Sequence, residues 1–198
     1  MRDLLHVFHH WLFPVAWWSF VGYWLISALW VNKTKVMESP VSRVLHLLIG
    51  TFAFLFFVFD DSFPPQVNRH LWPQNEFTFW LGAFVTVAGL GFAVWARAHL
   101  GRYWSGAITL KEGHRLIRTG PYQIVRNPIY TGILSGAAGT AITLGKVSGI
   151  VAVTILFAVY SWKIRREQRL LAGEFGEEYA AYCREVPALV PIKIRSRS

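Results

Sequence analysis

The chain alternates long stretches that lack any charged residue with short basic clusters, and this pattern limits its possible folds more than any other feature. Positions 4–32 contain no Asp, Glu, Lys or Arg, and further apolar stretches follow. A helix that crosses a bilayer needs about 20 mainly apolar residues. Only 16% of the residues are charged, against about 25% in a typical soluble domain. The sequence therefore predicts an integral membrane protein and excludes a disordered chain.

Five stretches have the composition of membrane-spanning helices: Trp11–Val31, Val44–Phe59, Phe77–Ala96, Asn127–Gly145 and Val147–Trp162. A cleaved signal peptide is the alternative for the first stretch, which is too long for one and lacks an A-x-A cleavage site. Gly145 and Lys146 separate the last two stretches, which predicts an antiparallel helical hairpin. Gly132 and Gly136 would let another helix approach the fourth span closely. The expected fold class is an all-α polytopic membrane protein with about five transmembrane helices.

The basic residues indicate the orientation in the membrane, because Lys and Arg accumulate in cytoplasmic loops. In a five-span topology, 17 of the 20 basic residues lie on one side. We therefore expect the N-terminus outside and the C-terminus in the cytoplasm. This distribution accounts for the net charge of +9 without a nucleic-acid partner. The single cysteine, Cys183, excludes an intrachain disulfide, and no metal site is predicted.

Two cytoplasmic basic segments, 97–127 and 163–198, flank the predicted hairpin, so an active site is expected where they meet the membrane. We accordingly divide the chain into three N-terminal spans, 1–96, and a core, 97–198. In the first segment, Asn127-Pro128 is typical of a helix start. A purely structural interpretation stays open, with Arg126 as an interfacial cation, Asn127 as a helix cap, and Tyr122 and Tyr130 as interfacial aromatics.

At the start of the second segment, residues 163–169 carry one carboxylate, Glu167, among three arginines and a lysine. Such neighbours would keep Glu167 ionised, so that it could bind an ammonium group or orient an arginine. The alternative is an amphipathic helix at the membrane surface, since Ile164, Leu171, Phe175 and Tyr179 fall roughly on one helical face.

Together, the two segments resemble the C-terminal half of the isoprenylcysteine carboxyl methyltransferase family, which is related to the phospholipid methyltransferases. The resemblance extends from about Leu100 to Pro191 and rests on these motifs, in order: Gly113-His114-x-Leu116, Gly120-x-Tyr122, Arg126-x-Pro128-x-Tyr130-x-Gly132, the hairpin, Glu167, and Phe175-Gly176-x-x-Tyr179-x-x-Tyr182. Two positions depart from the family pattern. Asn127 stands where the family usually has His, and Gln168 follows Glu167 where the family often has a second Glu. Because Asn does not ionise, acid–base catalysis at position 127 is excluded.

The resemblance implies methyl transfer from S-adenosylmethionine to a lipophilic acceptor in a cytoplasmic pocket, and the chain agrees in having no Rossmann-type glycine loop. The matching positions imply these cofactor-binding residues: His114, Leu116, Gly120, Tyr122, Arg126, Asn127, Tyr130 and Glu167. Arg126 and Glu167 are also the expected catalytic residues, Arg126 for a carboxylate and Glu167 for the methionyl ammonium.

The acceptor would enter from the bilayer, and an isoprenylcysteine-like carboxylate is favoured. A phospholipid amine and a small lipophilic thiol are alternative acceptors. A non-catalytic membrane protein and a nicotinamide-dependent membrane reductase are alternatives of other classes. Membrane lipids are expected partners, and the oligomeric state is left open.

Overall fold

The computed structural model describes residues 2–27, 29, 34–36, 64–101, 110–111 and 116–192. Within these residues the chain forms four α-helices: α1 (Arg2–Ser27), α2 (Glu76–Leu100), α3 (Pro128–Leu144) and α4 (Val147–Glu185). A short 3-10 helix, Gly120–Gln123, precedes α3. Strands β1 (Thr34–Val36) and β2 (Leu110–Lys111) form an antiparallel pair. The predicted second span, 44–59, lies outside the described residues. The all-α class is confirmed.

Local sequence signals account for the helix boundaries. At the start of α2, the Asn75 side chain accepts from the Thr78 backbone N–H at 2.9 Å and the Thr78 hydroxyl accepts from the Asn75 N–H at 3.0 Å, which is a capping box. Gly145 ends α3 in the left-handed conformation at φ 62°, a region that glycine adopts without steric cost. The next helix begins two residues later, so the predicted hairpin is confirmed.

Helices α2 and α3 approach closely at glycines on both helices. A Cβ atom built on Gly89 would lie 2.7 Å from the Gly132 carbonyl oxygen, and one on Gly139 would lie 2.5 Å from the Gly82 carbonyl oxygen. Thr86 adds a hydrogen bond across this contact, from its hydroxyl to the Gly136 carbonyl at 3.1 Å. The small residues of α3 thus perform the predicted role, and their partner is α2.

Helix α1 runs parallel to α2. Near their N-terminal ends the rings of Phe13 and Phe79 lie 5.8 Å apart, and at their C-terminal ends Arg97 of α2 donates to the Ser27 carbonyl. The predicted first span, Trp11–Val31, overlaps this helix, but the helix begins earlier, at Arg2, and ends at Ser27. Composition could not locate that end, since uncharged residues continue beyond it.

The described segment before α2 covers the hairpin turn. Trp72 Nε1 donates to the Ile142 carbonyl at 2.9 Å and Gln74 Nε2 donates to the Leu144 carbonyl at 2.7 Å. The Ser148 N–H donates to the Val67 carbonyl at 2.9 Å. These bonds satisfy backbone groups that the ends of α3 and α4 leave without helical partners. Val67 therefore lies at the hairpin-turn end of the bundle, opposite the contact between Arg97 and Ser27.

Helix α4 is far longer than the predicted fifth span, which ended at Trp162. It continues to Glu185 and bends at Gly176, where φ is 49° and ψ is −122°. Basic residues ended the apolar pattern at position 162, but they do not interrupt helical hydrogen bonding. Among the described residues, α2 and α4 are long and apolar enough to cross a membrane. The full count of five spans stays a prediction, as does the division at residue 96.

Candidate functional site

The loop that enters α3 is anchored by a histidine that the sequence interpretation missed. His99, at the end of α2, has its Nε2 atom 2.8 Å from the Thr119 hydroxyl, and its ring stacks on Tyr122 at 6.4 Å between centroids. Gly120 has φ +59°, and a Cβ atom there would lie 2.8 Å from the His99 ring. Glycine at position 120 is therefore required both by the backbone conformation and by the histidine. The only sequence signal for His99 was its position just beyond the third span.

Tyr122 occupies the centre of this loop and is almost fully buried. Its carbonyl accepts a hydrogen bond from the Tyr182 hydroxyl at 2.6 Å, which joins the loop to the last turns of α4. Arg118 adds two contacts at the same junction. It forms an ion pair with Glu185 at 2.6 Å, and its guanidinium lies over the Tyr182 ring, 5.3 Å from the centroid. Burial, reinforced by the nearby Tyr182 and Glu167 side chains, raises the pKa of Tyr122.

The side chain of Glu167, a residue of α4, contacts α3. Its Oε1 atom accepts a hydrogen bond from the Tyr130 hydroxyl at 2.7 Å. The Tyr130 ring stacks on Tyr160 at 5.0 Å, and the Lys163 ammonium lies 5.6 Å from the Tyr130 ring centroid. Glu167 is half-buried, and its carboxylate binds a neighbouring helix. This differs from the alternative of an amphipathic helix at the membrane surface.

Arg126 is held at the other edge of the site. Its backbone N–H donates to the Pro187 carbonyl at 2.8 Å, and its guanidinium donates to the Cys183 Sγ atom. Its Nε atom is buried and has no hydrogen-bond partner. A buried guanidinium donor without an acceptor is costly, and an anionic ligand would satisfy it. The contacts of Arg126 are thus with the C-terminal part of the chain, whereas Glu167 contacts Tyr130.

Asn127 occupies the predicted N-cap position, but its side chain makes no capping bond. Its amide nitrogen donates instead to the Ala188 carbonyl at 2.9 Å. The interpretation of Asn127 as a side-chain cap was therefore wrong, because a tertiary partner lies within reach of the amide.

The structure brings most of the predicted site residues to one end of α3 and α4. The two halves of the predicted motif set meet at the Tyr130–Glu167 hydrogen bond, 37 positions apart in the chain, and at the Tyr182–Tyr122 bond. Leu116 is half-buried at the start of the loop. His114 lies outside the described residues, so its role stays a prediction.

A comparison of the sequence with models of known protein families identifies the family of this chain. Residues 77–178, half of the chain, match the model of the phospholipid methyltransferase family. The chain belongs to the phospholipid methyltransferase family. The matched range contains α2, α3, the loop between them and most of α4. These are the elements that carry Tyr122, Arg126, Tyr130 and Glu167.

Similar proteins and one solved structure agree with that family. Protein-S-isoprenylcysteine O-methyltransferase B of Arabidopsis thaliana is 29% identical over 81% of this chain and 80% of its own length. A probable protein-S-isoprenylcysteine O-methyltransferase of Oryza sativa subsp. indica is 28% identical over 91% of this chain and 95% of its own. The solved structure is a eukaryotic intramembrane Ras methyltransferase, with a TM-score of 0.57 and 21% identity; the match covers 80% of this chain and 55% of that one. The chain is thus an integral membrane protein with this methyltransferase fold.

Proposed function

We propose that the chain transfers a methyl group from S-adenosylmethionine to the carboxylate of an isoprenylcysteine-like acceptor. Membership of a methyltransferase family implies a methyl donor, and the two plant relatives are named for isoprenylcysteine O-methylation. The hydrogen bond from Tyr130 to Glu167 carries the proposal, because it unites the two motif-bearing segments in one site.

The residues present fit the donor. Glu167 supplies a carboxylate for the methionyl ammonium, and Tyr130 keeps that carboxylate oriented. Arg126 supplies a buried Nε donor that lacks a partner, next to the N-terminus of α3, where anions are favoured. We assign the methionyl carboxylate to Arg126 and leave the adenine contacts to the neighbourhood of His114, Leu116, Gly120 and Tyr122.

When bound, S-adenosylmethionine supplies a methyl group that its sulfonium has already activated. A carboxylate acceptor brings a free electron pair, so the chain needs no general base. What the protein contributes is in-line positioning and exclusion of water. Arg126 and Glu167 hold the donor beside the N-terminal end of α3. The stacked rings of Tyr130 and Tyr160 supply apolar surface there.

We further propose that the site faces the cytoplasm, with the N-terminus outside. The excess of basic residues on one side supports this orientation. A lipophilic acceptor would reach the site from the bilayer between the helices, so prenylated substrates and membrane lipids are its expected partners.

The test is methyl transfer by the purified protein in liposomes, with radiolabelled S-adenosylmethionine and N-acetyl-S-farnesylcysteine. We expect a methyl ester, which releases its label in alkali. The matched control is the same acceptor with its carboxylate converted to an amide, which should accept no methyl group. Label in the phospholipid amine or in a thiol would assign another acceptor. Donor binding without transfer to any of these acceptors would favour the non-catalytic alternative.

A further inference from the structure

The segment 186–192, which we term the C-terminal strap, turns back from the end of α4 and lies against the start of α3. Four hydrogen bonds hold it. The backbone N–H groups of Arg126 and Asn127 donate to the carbonyls of Pro187 and Ala188 at 2.8 and 3.1 Å. The Asn127 amide donates to the Ala188 carbonyl at 2.9 Å, and the Thr131 hydroxyl donates to the Leu189 carbonyl at 2.8 Å. Every acceptor is a backbone carbonyl, so these four bonds hold the strap through its backbone and not through its side chains.

Asn127 makes two of these bonds, one with its backbone N–H and one with its side-chain amide nitrogen. An Asn at the N-cap position ordinarily accepts from a backbone N–H in the first helical turn. Here the side chain makes no such bond, and its donor end is directed at Ala188. The side chain of Asn127 therefore serves the strap and not its own helix.

The strap in turn determines where Arg126 lies. Pro187 binds the backbone of Arg126, and Cys183, three residues before the strap, accepts from its guanidinium. Arg126 is therefore held at its backbone and at its side chain by the same C-terminal stretch. Its buried Nε atom has no hydrogen-bond partner, so this donor is available to an anionic ligand. If the strap moved away, Arg126 would lose its backbone bond to Pro187, and its guanidinium would be held by Cys183 of α4 without that second anchor.

We propose that Asn127 is a positioning residue: by binding the Ala188 carbonyl it holds the strap, and the strap orients Arg126 toward the carboxylate of the methyl donor. This inference rests on the proposed function. It also explains the departure from the family pattern at position 127. A histidine ring carries an N–H that can donate to a carbonyl as an Asn amide does, so both residues provide the one property that the strap needs.

The experiment compares Asn127→Leu, which removes the donor at similar size, with Asn127→His, which restores an N–H. Cys183 is the only cysteine, so its alkylation by N-ethylmaleimide, at about pH 8 where imidazole is neutral, reports on this region independently of activity. One lost hydrogen bond should accelerate alkylation by about 2- to 10-fold in Asn127→Leu. The KM for S-adenosylmethionine should rise by a similar factor, with the KM for farnesylcysteine unchanged. Asn127→His should reverse most of both effects.

Faster alkylation with an unchanged donor KM would overturn the proposal, because the strap would then be held without consequence for Arg126. A raised donor KM with unchanged alkylation would also overturn it, since Asn127 would then act on the donor directly. If Asn127→Leu does not fold, Thr131→Val removes the Leu189 bond and should shift both quantities in the same direction. Should the wild-type protein not methylate farnesylcysteine, the proposed function fails, while the alkylation rates and donor binding still test this inference.

Discussion

At the scale of single residues, the site consists of one carboxylate and one guanidinium that are held by different neighbours. Glu167 is fixed by Tyr130, and Arg126 is fixed by Cys183 and Pro187. Because these neighbours lie on different parts of the chain, each charge can serve a different end of a zwitterionic ligand. Substitution of each should therefore weaken donor binding through a separate contact.

Glu167→Gln should weaken binding of S-adenosylmethionine with the fold retained. Truncating one member of a desolvated charge pair costs about 2–5 kcal/mol, or roughly 30- to several-thousand-fold in affinity. Calorimetry with S-adenosylhomocysteine measures the loss. Tyr130→Phe is the matched control, because it removes only the hydrogen bond to the carboxylate and should cost about 0.5–1.5 kcal/mol. Unchanged affinity in Glu167→Gln would remove Glu167 from the binding site.

Arg126→Lys should lose most methyl transfer while expression and folding persist. Lysine retains the charge but lacks the planar fork that binds a carboxylate at two points. The measurement is kcat/KM for S-adenosylmethionine, with Arg169→Lys as the control, since Arg169 is exposed on α4 and should tolerate the change. A near-normal kcat/KM of Arg126→Lys would identify Arg126 as a membrane anchor.

At the scale of helices, the decisive contact is the one between α2 and α3, because it holds the loop that ends at Arg126. The two helices touch through glycine backbone on both sides, which leaves no room for a methyl group. The gap between helix axes, and with it the position of the α3 N-terminus, depends on these small residues.

Gly89→Ala should destabilise the protein, because its Cβ would lie 2.7 Å from backbone atoms of Gly132 and Gly136. Overpacking of this kind costs about 1–3 kcal/mol and should appear as a lower midpoint of thermal unfolding in detergent. Gly91→Ala is the matched control on the same helix. A Cβ there meets nothing within 4 Å, so the variant should be as stable as the wild type or slightly more so. Equal melting of the two variants would contradict the close packing.

At the scale of the whole molecule, the described segments divide between two ends. The hairpin turn and the segment around Trp72 lie at one end, and the Tyr122 loop, the end of α4 and the strap lie at the other. The proposed orientation assigns the second end to the cytoplasm.

Cysteine labelling tests this orientation in a Cys183→Ser background. Gln74→Cys and Glu178→Cys place single thiols at exposed positions on opposite ends. A membrane-impermeant maleimide should label position 74 in intact cells and position 178 only after the membrane is opened. The reverse pattern would invert the topology.

The sequence by itself determined the membrane class, the family and the local boundaries that depend on nearby residues. Uncharged stretches predicted α2, α3 and the hairpin, because desolvated backbone must form helices in lipid, and Pro128 and Gly145 marked the ends of α3. The motif set also predicted a shared site for Tyr122, Arg126, Tyr130 and Glu167, which stays a prediction.

Only the tertiary structure decided which groups these residues contact. The role of His99 and the partner of Asn127 both depend on segments distant in the chain. Asn127 shows the reason most clearly. Its preference for the N-cap position is a local property, but its side chain binds a carbonyl 61 positions away in the chain. The residues around position 127 contain no information about that partner.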